Sequence, residues 1–148
     1  MQKAIVVDQL NRLLEERIRS LKDELATTLE ARNSDTKSSA GDKHEVGRAM
    51  VQQELDQLEA QLAKTQAMQQ ELARVPFDRA YEQVAFGSLI TTDQGQYFIA
   101  IGLGAVEFVD ETRYAISLAS PIGQALKDKR VGDVVTFNGR SIRITAIA

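Results

Sequence analysis

Apolar residues recur at three- and four-residue steps through the first part of the chain, at Val7, Leu10, Leu14, Ile18, Leu21, Leu25 and Thr28 or Leu29. That spacing gathers them on one stripe of an α-helix. Neither proline nor glycine interrupts Lys3 to Ala40, and the pattern predicts a helix over Lys3–Arg32. Val51, Leu55, Leu58, Leu62, Thr65 and Leu72 repeat the stripe and predict a second helix over Val46–Arg74. Pro76 stops it, because the residue before a proline disfavours helical geometry. Charges fall on the outer face in pairs such as Asp8–Arg12, Arg12–Glu16 and Glu15–Arg19, each worth a few tenths of a kcal/mol. The stretch between the stripes, Asn33 to Gly41, is polar and rich in loop formers. The expectation is an antiparallel two-helix coiled coil over residues 1–75, with its tip loop at 33–45. Each arm would extend roughly 45 Å at about 1.5 Å per residue.

After Pro76 the period changes. Phe77 to Tyr81 reads as a linker or short helical turn. Strands are predicted at Val84–Thr91, Gln96–Ile101, Glu107–Val109, Arg113–Ser117, Val134–Phe137 and Ser141–Ile147. The strict alternation of Ser141-Ile142-Arg143-Ile144-Thr145-Ala146-Ile147 marks a half-buried strand. Asp93-Gln94-Gly95 is a hairpin signal. A short helix is expected at Pro121–Lys127, with Ser120 as its cap and Pro121 in its first turn. The fold class is therefore α+β, with a β-rich module over residues 77–148.

Composition sharpens this division. All eight aromatic residues, both prolines and seven of the nine glycines follow residue 75. Only the second part can build a bulky core. The chain carries a net charge of −3, and neither part has the positive excess of a protein that grips phosphate backbones unaided. A role with nucleic acid is expected only through a protein partner. The absence of cysteine fits a reducing cytosol, and no apolar run approaches the roughly 18 residues that span a membrane. A soluble cytoplasmic protein, acting as a monomer, is expected.

The tip carries the candidate chemistry, Gly41-Asp42-Lys43-His44-Glu45. Carboxylates three apart on a helix project from one face, so Asp42 and Glu45 suit delivery of paired acids by a slender arm. They equally suit an acidic variant of the capping box, worth about 1 kcal/mol to the second helix. His44, the only histidine, reads as incidental. Lys127, Lys129 and Arg130 form a small basic cluster at a helix end.

One continuous stretch is specific. Residues 120–135, Ser-Pro-Ile-Gly-Gln-Ala-Leu-Lys-Asp-Lys-Arg-Val-Gly-Asp-Val-Val, resemble the SPIxxALxxKxxGDxV signature of bacterial Gre factors. These are transcription elongation factors that stimulate RNA cleavage by RNA polymerase. Val84 to Ile90 resembles the strand opening their C-terminal domain, and Gly41 to Glu45 resembles their GDLKE tip. The resemblance runs in the same order along essentially the whole chain. It implies an FKBP-like antiparallel β domain with a short helix behind the coiled coil. It further implies docking of that domain at the rim of the polymerase secondary channel, through a surface that includes Ser120, Pro121 and Ile122. The arm would pass down the channel, where Asp42 and Glu45 would help hold a magnesium ion shared with the polymerase. The polymerase, and not this chain, would then cleave backtracked RNA.

The family continues past the tip with Asn-Ala-Glu-Tyr, whereas this chain reads Val46-Gly47-Arg48-Ala49. An acid gives way to Arg48 and an aromatic to Ala49. That departure motivates a second reading, a channel-binding regulator without cleavage activity. A third, from another class, is a prolyl isomerase or chaperone-like module, which needs an aromatic-walled pocket from a chain with few aromatics to spare. A structural coiled-coil protein is the remaining alternative. No nucleophile elbow, phosphate-cradling glycine loop or His/Cys cluster suggests an independent enzyme.

Overall fold

The computed structural model describes residues 2–35, 41–107 and 112–148, with the side chains of all of these except 34, 35 and 41–46. Its elements are α1 (Gln2–Asp35), α2 (Gly41–Ala73), β1 (Leu89–Thr92), β2 (Gly95–Ile99), β3 (Gly104–Glu107), β4 (Thr112–Ile116), α3 (Pro121–Leu126), β5 (Val134–Phe137) and β6 (Arg140–Ile147). Two compact units divide the chain: residues 8–70 form one, and residues 1–7 with 71–148 form the other.

In the helical unit the leucine stripes are the buried positions. Leu10, Leu14, Leu55, Leu58 and Thr65 are buried, and Ile18, Leu21, Leu25, Val51 and Leu62 are half-buried. Where the stripe left a choice, Thr28 is half-buried and Leu29 is 42% exposed. Buried Thr65 meets its polar need locally, its hydroxyl donating to the Gln61 carbonyl at 2.8 Å. Arg32, late in α1, donates to the Gln52 side chain of α2 at 3.1 Å, and Gln52 donates onward to Asp56 at 3.0 Å. These bonds tie the end of one helix to the early turns of the other, as an antiparallel pair requires. Arg12 turns back to Asp8 at 3.2 Å. Both helices run further than the stripes indicated. α1 reaches Asp35, and α2 starts at Gly41, so Asp42 to Glu45 lie in helical backbone. Residues 36–40 of the polar turn lie outside the described residues.

The other unit is built on one six-stranded sheet in the order β3-β4-β2-β1-β6-β5. Four of its pairings are antiparallel. β2 and β4 run parallel, because β3 intervenes in sequence and returns on the far side of β4. The antiparallel domain read from sequence is thus a mixed sheet. One face carries Ile90, Tyr97, Ile99, Ile116, Val135, Ile142 and Ile144, which form a buried cluster with Val84 and with Leu126 of α3. Phe98 and Leu89 are buried among the residues of the opposite pleat. There a polar row crosses three strands: Arg113 Nε donates to Gln96 Oε1 at 2.6 Å, and Gln96 Nε2 donates to Thr91 Oγ1 at 3.1 Å. Register dictates the row, since Thr91 faces Gln96 and Gln96 faces Arg113. Val6, Val7, Leu72 and Val75, from the ends of the two long helices, are buried in this unit as well.

Two strands differ from the sequence reading. The first begins at Leu89 rather than Val84. Gly87 adopts φ 91°, and Ser88 Oγ donates to the Ala85 carbonyl at 2.6 Å while accepting from the Ala85 amide at 3.1 Å. A local side-chain-to-backbone turn displaces the ladder there. Gly87 also passes close to Tyr81, and a Cβ at that position would meet the phenol oxygen. The Tyr81 hydroxyl donates to the Phe86 carbonyl at 2.8 Å, and its ring lies under Lys3 Nζ at 4.4 Å. Burial lowers the Lys3 ammonium from its ordinary pKa. The third strand occupies Gly104–Glu107, earlier than the expected Glu107–Val109, because its register with β4 pairs Gly104 with Ala115. Phe108 and Val109 lie outside the described residues.

Burial separates two phenylalanines cleanly. Phe98 is fully buried, whereas Phe77 is 60% exposed. Phe98→Ala should cost about 3–5 kcal/mol of unfolding free energy in denaturant titrations, and Phe77→Ala should stay within about 0.5 kcal/mol.

Candidate functional site

Among its described residues the β module presents an apolar groove of about 400 Å³, walled by Tyr97, Tyr114, Ile116, Ile122, Phe137 and Ile142, with Asn138 and Arg140 at its polar side. Each wall follows from local structure. The parallel register places Tyr97 opposite Tyr114, and the rings stack with centroids 5.0 Å apart at 20°. Phe137 and Arg140 flank the Asn138-Gly139 turn and face each other across the β5–β6 hairpin. Ile122 enters from α3.

The position of α3 is fixed by its first turn. Ser120 is the N-cap, its hydroxyl accepting from the Gly123 amide at 3.1 Å and donating to the Ser117 carbonyl at 2.7 Å. Pro121 follows where a missing amide costs nothing. Gly123 is buried, and a Cβ there would collide with the Ser117 and Leu118 carbonyl oxygens. The helix therefore sits close against the chain that precedes it, and Ile122 is held half-buried at the groove. Of the three residues expected to dock, Ser120 acts as the cap, Pro121 is exposed, and Ile122 lines the groove.

Sequence reasoning did not find the rest of this groove. Tyr97 and Tyr114 were visible as aromatics in strands, but only the parallel pairing brings them together. The scarcity of aromatics had weighed against an aromatic-walled pocket, yet three of the eight meet here. Burial pushes the Tyr97 phenol above its ordinary value; Tyr114 and Asp93 add to the rise and Arg140 opposes it.

Asp42 and Glu45 lie in the opening turns of α2, and their three-residue spacing sets them on one helical face. Their side chains and that of His44 lie outside the described residues. Arg48 follows three residues after Glu45 and is exposed. No cluster of three or more acids or histidines able to hold a metal occurs among the described residues. The basic cluster is exposed, with Arg130 at 3.9 Å from Glu82. No helix is long and apolar enough to cross a membrane, among the described residues.

Comparison with known proteins bears on the module that carries the groove. Residues 80–148 match the family model "Transcription elongation factor, GreA/GreB, C-term". The matched segment contains every groove residue and the whole Ser120–Val135 stretch. The β-rich module therefore matches the C-terminal domain of the Gre-type transcription elongation factors. Among solved structures it is similar to that of the transcription factor Gfh1, at 23% identity, over 93% of this chain and 92% of that one, with a TM-score of 0.38. Comparison with curated protein sequences finds no match.

The Tyr97 phenol offers a direct check on the groove. A phenol whose folded pKa is raised above its unfolded value contributes stability that is complete below the ordinary pKa of 10.0. That contribution is lost as pH rises through the folded value. The denaturation midpoint of the wild type should therefore fall more steeply above about pH 10 than that of Tyr97→Phe. The two profiles should run parallel below it.

Proposed function

We propose that this elongation factor binds bacterial RNA polymerase at its secondary channel, docking through the groove around Ile122. Its helical arm then carries Asp42 and Glu45 towards the polymerase active centre. The observation that carries the reading is the match of residues 80–148 to the Gre C-terminal domain, a segment that includes an open apolar groove rimmed by α3. An apolar groove with a few polar groups at one side is the usual form of a recognition site. Ile122, Phe137 and the tyrosine pair supply a central apolar anchor of the kind that dominates binding energy.

At the tip, the donor chemistry fits magnesium. The ion takes hard oxygen ligands and binds through one or two carboxylates, leaving its other positions to water and phosphate oxygens. Asp42 would be the principal ligand and Glu45 its helper. The ion, when held there, supplies charge stabilisation for phosphodiester hydrolysis of backtracked RNA. The chain brings carboxylates on a stiff helix, and catalysis stays with the polymerase. A 33-residue α2 is about 50 Å long at roughly 1.5 Å per residue, which gives the reach.

Arg48 favours a second reading. Where the family carries an acid, this chain carries a cation. A factor so altered would occupy the channel without stimulating cleavage.

Backtracked transcription complexes distinguish the readings. Under the first, added protein releases 3′ RNA fragments, and Asp42→Asn slows release by about 10- to 100-fold at limiting magnesium, as loss of a metal-supporting group does. Ile122→Asp should abolish binding to the polymerase while leaving the fold intact by circular dichroism. If wild-type protein releases no fragments but displaces another channel-binding factor, and Arg48→Glu gains release, the regulator reading stands. No measurable affinity for polymerase would end both.

A further inference from the structure

The β5–β6 hairpin leaves one edge of the sheet open. β5 closes the strand order and pairs only with β6 among the described residues. Asn138 and Gly139 both have positive φ, 51° and 77°, as a two-residue type I′ turn demands. With that turn, Phe137 and Arg140 exchange the hydrogen bonds beside it, and the next such pair is Val135–Ile142. The N–H and C=O groups of Val134 and Thr136 therefore point away from β6.

The side chains on this edge are unusual for a protein surface. Val134 is 49% exposed and Val131 is 56% exposed. Thr136, and Arg143 opposite Val134, are exposed too. Charge is unevenly placed. Residues 127–143 hold five cations, Lys127, Lys129, Arg130, Arg140 and Arg143, against Asp128 and Asp133. The rest of the module from Pro76 holds two cations against six acids. Arg140 and Arg143, on the strand paired with β5, thus lie in a basic stretch of an otherwise acidic module.

We propose that the β5 edge accepts an extended acidic segment of a partner protein, with apolar residues in alternation, as a seventh strand. The free N–H and C=O groups of Val134 and Thr136 supply backbone pairing. Val131 and Val134 supply apolar contact, and Arg143, opposite Val134, selects acids. A second copy of the chain is a poor occupant, because pairing β5 with β5 would oppose the same cations. The edge is separate from the groove: Val134 and Thr136 face outward, whereas Val135 and Phe137 face the core and groove.

The probe is a synthetic peptide alternating valine with aspartate or glutamate, titrated into the isotopically labelled full-length chain and followed by amide shifts. The largest shifts are expected at Val134 and Thr136, with binding that weakens as salt rises. Thr136→Pro removes an outward N–H but no bond to β6, and should weaken binding at least about tenfold. Arg143→Glu, which leaves the backbone ladder untouched, should do the same. The proposal is overturned if the peptide does not bind at millimolar concentration. It is equally overturned if a lysine-for-acid peptide binds as well, if shifts centre on Tyr97 and Tyr114, if neither variant changes affinity, or if the free chain self-associates through this edge in sedimentation.

Discussion

The parallel pairing of β2 with β4 is the constraint on which the rest of the module depends. It sets Tyr97 against Tyr114 on one face and Gln96 against Arg113 on the other. Antiparallel neighbours could follow from hairpins alone, but a parallel pair requires the chain to pass the neighbouring position and turn back. Here it does so through β3, which pairs on the outer side of β4. Shifting β4 by one residue would turn the tyrosine from the groove face and bring Arg113 onto it. The groove floor is therefore as secure as this register.

The second requirement is α3, which closes the groove's flank. Its six residues are too few to be stable alone. The helix persists because the Ser120 cap satisfies an amide, Pro121 presets the first turn, and buried Gly123 permits close packing on the Ser117–Leu118 backbone. Leu126 then anchors its far end in the core. Three adjacent residues thus divide the work: one caps, one shapes the backbone, and one, Ile122, faces the groove.

Much of this was legible in the sequence, for identifiable reasons. The leucine stripes named the buried seam of both long helices, because period and burial are the same information in an amphipathic helix. Ser120 and Pro121 announced the start of α3 through capping chemistry. The β6 alternation placed Ile142 and Ile144 inside. What escaped was non-local. The parallel register, the meeting of Tyr97 with Tyr114 and the buried Arg113–Gln96–Thr91 row depend on strands distant in sequence. The late start of β1 escaped for a different reason: Ser88 and Gly87 form a turn within a run whose apolar content suggested a strand. At the tip, spacing alone set Asp42 and Glu45 on one face, and the helical backbone from Gly41 is consistent with that.

In the proposed docking, the groove around Ile122 anchors the factor on the polymerase while the start of α2 enters it. Hydrogen exchange on the full-length chain, with and without bacterial RNA polymerase, tests this most directly. The account predicts slowed exchange at α3, at Phe137 to Ile142 and across the first turns of α2, all in one saturable transition. Unchanged exchange in the groove segments at saturating polymerase, or protection confined to other strands, would contradict it.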